Sequence, residues 1–211
     1  MQNMRAEALA ILTALISAAA AATGDHVRTD VRGIPEGART ANHVVVVNVD
    51  GALAAEAFGE AATYALSKVN VNAWTNAAAA FRAERLVGDP TLLQRMFGDK
   101  AKVGVFLERA GAAPRFLAVP GMWCRVNVDG LGDKAADAQT YKDRAAKMIL
   151  KGLAYAAGCG ASLDVRCSMY YGGGTMEGLD KVGIRLSPGA YFPMLEQLKR
   201  VGGDEIVTRQ E

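Results

Sequence analysis

The run HVVVVNVD (43–50) constrains the fold more than any other stretch of the chain. Continuous apolar, β-branched sequence of this length reads as a buried strand. GALAAEAFGEAATYALSKV (51–69) follows with apolar residues at helical spacing, and then NVNAW (70–74). Strand, helix and strand in that order predict a largely parallel sheet. Asn48 is neutral, so the body of the first strand offers no acid. Asp50 with Gly51 reads as a helix start rather than a catalytic acid. AAAAFRAERL (77–86) and PTLLQRMFG (90–98) predict two short helices, the second opened by Pro90. KVGVFLER (102–109), RFLAVPG (115–121) and MWCRVNV (122–128) predict strands separated by turn residues.

The longest helical pattern is DAQTYKDRAAKMILKGLAYAAG (137–158). Ala145, Met148, Ile149, Gly152, Leu153 and Ala156 recur at three- and four-residue steps and mark a buried stripe. Gly158 and Gly160 supply left-handed positions to end it. Beyond this point the texture changes to Gly and turn formers, with one short helix expected after Thr175. Ser187 and Pro188 then open a last helix, GAYFPMLEQLKR (189–200). The expected organisation is an α/β part over residues 24–158 and a small C-terminal subdomain over 159–211.

Composition narrows the function classes. The net charge of +2 with mixed signs gives no basic stripe, so no nucleic-acid partner is expected. Residues 1–23 carry Arg5, an apolar run from Ala8 to Ala22 and small residues before Thr23, the layout of a secretory signal peptide. The run is too short to span a bilayer comfortably, and no stable membrane span is expected once a leader is removed. Glu7 beside the apolar run argues for the alternative, an alanine-rich helix packed on the domain. The first reading places the protein outside the cytoplasm, periplasmic or secreted; the second leaves it cytoplasmic. The three cysteines, Cys124, Cys159 and Cys167, match no CxxC metal spacing. Cys159 and Cys167 lie eight residues apart across a glycine turn, and a bridge between them is expected after export.

Long helix, Gly stop, loop, then a Cys-x-Met turn: this order resembles the metzincin zinc peptidases, and among them the archaemetzincins. The family motif is H-E-x-x-H-x-x-G-x-x-H-C, four residues, then C-x-M. Anchored on Gly158, it falls with its second cysteine on Cys167 and its methionine on Met169. The three histidine positions fall on Lys151, Tyr155 and Ala161, the glutamate on Gly152 and the first cysteine on Ser162. A later C-P-x-C pair falls on Ser187, Pro188, Gly189 and Ala190, which keep only the proline. The resemblance covers roughly residues 140–200. It implies a zincin-like α+β fold with a mixed twisted sheet, a long former active-site helix and a Met-turn.

In such peptidases two helix histidines and a third after the glycine turn bind zinc, and the glutamate takes the proton of the metal-bound water. Here Ala161 has no ligand atom, Gly152 has no base and a protonated Lys151 repels a cation. Tyr155 is a poor zinc ligand, with an ordinary phenol pKa of about 10. His26 and His43 lie far upstream. No zinc and no other cofactor is expected, and Gly158, Cys167, Met169 and Pro188 remain as parts that shape the fold. The chain therefore reads as a peptidase relative without peptidase activity, left with a binding or structural role. The alternatives are an enzyme using Lys151, Tyr155 or Cys167 in the same cleft, or an unrelated small α/β protein. YYGGGT (170–175) reads as a flexible loop rather than a phosphate cradle. The resemblance also implies a strand edge for extended substrate; placed at Trp123 and Cys124, it could hold a peptide or protein ligand by strand addition. The other reading of those two residues is core filling.

Overall fold

A computed structural model describes residues 44–202, apart from 70, 72, 80–82, 84, 90, 99, 100 and 172–174. The leader-like segment 1–23, His26, His43 and the three glycines of YYGGGT lie outside the described residues. Strand β1 (Val44–Val49) runs into helix α1 (Ala55–Ser67) and strand β2 (Ala73–Ala79). Two short helices follow, α2 (Arg85–Gly88) and α3 (Leu92–Phe97), and then strands β3 (Val103–Glu108), β4 (Phe116–Val119) and β5 (Trp123–Asn127). The long helix α4 (Ala138–Ala156), the short α5 (Met176–Lys181) and α6 (Pro188–Gly202) complete the described elements.

The five strands form one mixed sheet in the order β2-β1-β3-β5-β4. The first four are parallel, and β4 pairs antiparallel with β5 at one edge. Every residue of β1 is buried, which is why its sequence does not alternate. Val44 and Val46, with Val105, Leu107, Cys124 and Val126, face α1 and α4. Val45, Val47 and Val49, with Phe106 and Trp123, face Leu86, Leu92, Leu93 and Phe97 on the other side. The sheet is thus covered on both faces. The first core also takes in Cys167, Met169, Leu179, Val182, Ala190, Met194 and Leu198 from the C-terminal region.

Two local expectations are corrected, and of the two readings of Trp123 and Cys124 the structure bears out core filling. The alanine run at 77–79 is strand, not helix, because parallel pairing with β1, through Val49 and Ala79, outweighs alanine's helix preference. Asp50 does not start a helix: Asp50 and Gly51 have φ of 49° and 66°, a left-handed reversal, and α1 begins only at Ala55. Asn48 holds that reversal, its amide donating to Leu53 O (2.8 Å) while Leu53 N donates to its Oδ1 (2.9 Å). The sheet edge is β4, since β5 with Trp123 and Cys124 is paired on both sides. Both side chains fill the core, 3% and 0% exposed.

Candidate functional site

Helix α4 is started by Asp137, whose carboxylate accepts from Thr140 N at 2.7 Å. Its first half carries a buried guanidinium, Arg144, which is forked onto the Asp180 carboxylate of α5 by two bonds of 2.7 Å. The same side chain donates to Leu131 O (2.8 Å) and Asp133 O (2.7 Å). One turn on, Lys147 donates to Leu179 O at 2.9 Å. These contacts fix α5 and the β5–α4 loop to the helix.

The second half of α4 carries the residues singled out by the motif. Gly152 packs on the sheet: a Cβ there would lie 2.7 Å from Val126 Cγ2 and 2.9 Å from Val105 Cγ1. The expected buried stripe is present, and the burial extends to Lys151, which is 3% exposed. Its ammonium donates to Tyr170 O at 3.1 Å and lies 5.5 Å from the centre of the Phe116 ring. Tyr155, one turn later, packs a tilted ring on Phe116, 5.1 Å centre to centre. Desolvation holds the Lys151 ammonium below the ordinary lysine range, partly offset by the neighbouring Cys167 sulfur. Burial pushes the Tyr155 phenol above its ordinary value.

The helix ends as its glycine demands. Gly158 has φ of 85°, with its N–H on Tyr155 O (2.9 Å) and Cys159 N on Ala154 O (2.8 Å), a Schellman closure. Gly160 takes no left-handed conformation, contrary to expectation. Gly121 N reaches Ala156 O at 2.7 Å, so the β4–β5 turn is tied to the helix exit. Ala161 is exposed. The loop then folds back on itself: Ser162 N donates to Met169 O (2.7 Å) and Tyr171 N to Ser162 O (3.1 Å). Met169 is fully buried in the main core. Cys167, also fully buried, accepts from Met169 N (3.4 Å) and Ser187 N (3.2 Å) through its sulfur. Pro188, next in the chain, starts α6 and is exposed.

All three cysteines are free thiols, which corrects the expected Cys159–Cys167 bridge. The Cys159 sulfur is directed to Ala190 O at 3.5 Å, and that of Cys167 is engaged by backbone donors, so neither is presented to the other. Burial pushes the Cys124 thiol up to about 12.

The structure thus brings Lys151 and Tyr155 together around Phe116. The residues do not fit zinc. An ammonium donates and cannot coordinate, Ala161 has only a methyl group, and position 152 has no room for a base. Among the described residues no group of three or more His, Cys, Asp or Glu could hold a metal ion. Two members of the cluster escaped sequence reasoning. Phe116 meets its partners only because β4 returns alongside β5. Tyr170 acts through its carbonyl, for which side-chain identity carries no signal.

No family profile and no curated protein sequence matches the chain. Solved structures do. The archaemetzincin of Methanopyrus kandleri superposes with a TM-score of 0.57 at 18% identity, over 79% of this chain and 99% of its own. A zinc-dependent peptidase of Methanocorpusculum labreanum gives 0.56 at 14%, over 71% and 99%. The archaemetzincin of Archaeoglobus fulgidus, in complex with malonate, gives 0.51 at 14%, over 71% and 98%. The chain has an archaemetzincin-like fold.

Proposed function

We propose that this archaemetzincin-like fold is a pseudoenzyme, a peptidase scaffold without zinc or peptidase activity that serves in binding or as a structural part. The observation that carries the reading is the Lys151 cluster. The face of α4 that the motif assigns to ligands holds a buried ammonium on Tyr170 O and a phenol ring on Phe116. Gly152, at the general-base position, is closed off by Val126 and Val105. Loss of a general base alone removes about 10²- to 10⁴-fold in rate, and loss of the ion removes the activated water as well. Met169 keeps the place of a Met-turn as a packing residue, and the described residues between 159 and 202 belong to the small C-terminal part of the same scaffold.

A peptide or protein segment laid along β4 is the ligand this scaffold suits. β4 is a sheet edge four residues long with Leu117 exposed, and main-chain pairing there needs no metal. Residues 1–23 as a leader would place this binding outside the cytoplasm.

Elemental analysis of the purified chain, with peptide cleavage assayed in parallel, tests the proposal. The expected result is no stoichiometric zinc, no change in stability with chelator and no cleavage above background. About one zinc per chain, with stability lost on its removal, overturns it.

A further inference from the structure

We infer that Lys147 is a covalent ligand site, its amine forming a reversible imine with a small aldehyde or ketone that carries a carboxylate. This proposal is independent of the zinc reading. The site is an open cleft of about 290 Å³ lined by Lys134, Ala136, Thr140, Asp143, Lys147 and Asp180. Three parts of the chain build it. Thr140, Asp143 and Lys147 recur at three- and four-residue steps and share one face of α4. Lys134 comes from the β5–α4 loop and Asp180 from α5.

Lys147 is only 8% exposed although it lines the cleft. Its nitrogen donates to Leu179 O at 2.9 Å, one residue before the cleft's Asp180. Asp143 and Asp180 of the cleft and the adjacent Arg144 are the charges that act on it. Together these place the nitrogen at the cleft wall. A backbone carbonyl can only accept, so the bond to Leu179 uses one N–H and leaves the lone pair of the neutral amine unengaged. Both Asp180 oxygens are taken by Arg144. Among the described residues no carboxylate forms a salt bridge with Lys147. Desolvation outweighs Asp143 and Asp180 and holds its ammonium below the ordinary lysine range. Exposed lysines go the other way. The bonds from Lys142 to Glu60 and from Lys181 to Glu177 hold those ammoniums above that range. Only the uncharged amine attacks a carbonyl carbon.

The step needs no further reagent. The Lys147 nitrogen attacks the ligand's carbonyl carbon; a C–N bond forms and the π pair moves to oxygen. Asp143, one turn before Lys147, takes a proton from nitrogen and passes it to that oxygen. A second transfer by the same route expels the oxygen as water and leaves C=N. Hydrolysis reverses it. Lys134, exposed and in no salt bridge among the described residues, is the cation left for the ligand's carboxylate.

Reductive trapping on the full chain is the test. The probes are glyoxylate, an aldehyde with a carboxylate, and propionaldehyde, which has none. Each is added with cyanoborohydride at neutral pH, and the labelled lysines are located by peptide mass spectrometry. In the wild type glyoxylate is expected to label Lys147 about tenfold faster than Lys142 or Lys181. Lys134→Gln should slow glyoxylate labelling of Lys147 about tenfold and leave its propionaldehyde labelling as it was. Asp143→Asn should slow labelling of Lys147 by both probes about tenfold. Neither side chain is buried, so unchanged circular dichroism is expected. Wild type labelled as fast at Lys142 and Lys181 as at Lys147 overturns the proposal. So does glyoxylate labelling of Lys147 that either substitution leaves unchanged.

Discussion

At residue 151 a lysine that is 3% exposed rests its ammonium on one carbonyl and one ring face. Burial of a charge with so few partners costs stability while the charge is present. The sign follows from linkage. Desolvation lowers the folded pKa below the ordinary 10.5, so between those two values the unfolded chain binds more protons. Stability from this group therefore rises with pH through that window, and its penalty is complete below it. Tyr155 and Cys124 act in the opposite sense, each held protonated by burial above its ordinary 10.0 and 9.0. Lys147, also desolvated, acts in the same sense as Lys151. Lys151→Met isolates the lysine, because the other groups are common to both proteins. At neutral pH the variant is expected within about 1 kcal/mol of the wild type, the removed charge offsetting the lost bond to Tyr170 O. Urea unfolding from neutral pH up to the ordinary lysine value of 10.5 should show wild type gaining on the variant as pH rises. A difference that does not change with pH would mean Lys151 keeps its ordinary pKa.

The contact between α4 and the sheet sets what that helix can carry. Its closest approach is at Gly152, where Val126 and Val105 occupy the space of a side chain. Gly152→Ala, although favourable for helix propensity, is expected to destabilise by about 1–3 kcal/mol through overpacking. Gly152→Glu should cost more, since it also drives a carboxylate between two valines. Denaturant midpoints of the two variants measure this; an Ala variant as stable as the parent would show that the helix lifts freely. Writing the peptidase motif back into this helix is thus blocked at position 152. The same scale explains the misread segment at 77–79. Alanines carry no side-chain pattern that separates strand from helix, and pairing with β1 decided it.

Across the whole molecule the C-terminal region shares the main core instead of building its own. Cys167, Met169, Leu179, Met194 and Leu198 pack with α1, α4 and one face of the sheet. Arg144 of α4 and Asp180 of α5 add a bidentate ion pair across the same boundary, its carboxylate 39% exposed. Truncation after Gly158 would uncover Met148, Leu153 and the rest of that face. The truncated chain is expected not to fold, and the intact one to unfold in a single transition by circular dichroism and tyrosine fluorescence together. Two separated transitions, or a folded 1–158 fragment, would show residues 159–202 to be an independent unit.

The sequence by itself determined the strand–helix–strand opening, the buried run of β1, the span of α4 from its Asp137 cap to Gly158, and the absence of a histidine triad on that helix. Each is local: side-chain period, capping chemistry and left-handed glycine act within one or two turns of chain. The tertiary structure alone decided that β4 takes the edge, that Cys159 and Cys167 face different backbone partners, and that Gly152 is filled from the sheet. It also decided that Lys151 and Tyr155 close around Phe116. These depend on which elements meet, and contact across tens of residues leaves no periodic mark in a single sequence. Phe116 is 35 residues from Lys151, and nothing in RFLAVPG announces that its ring will lie beneath a lysine ammonium.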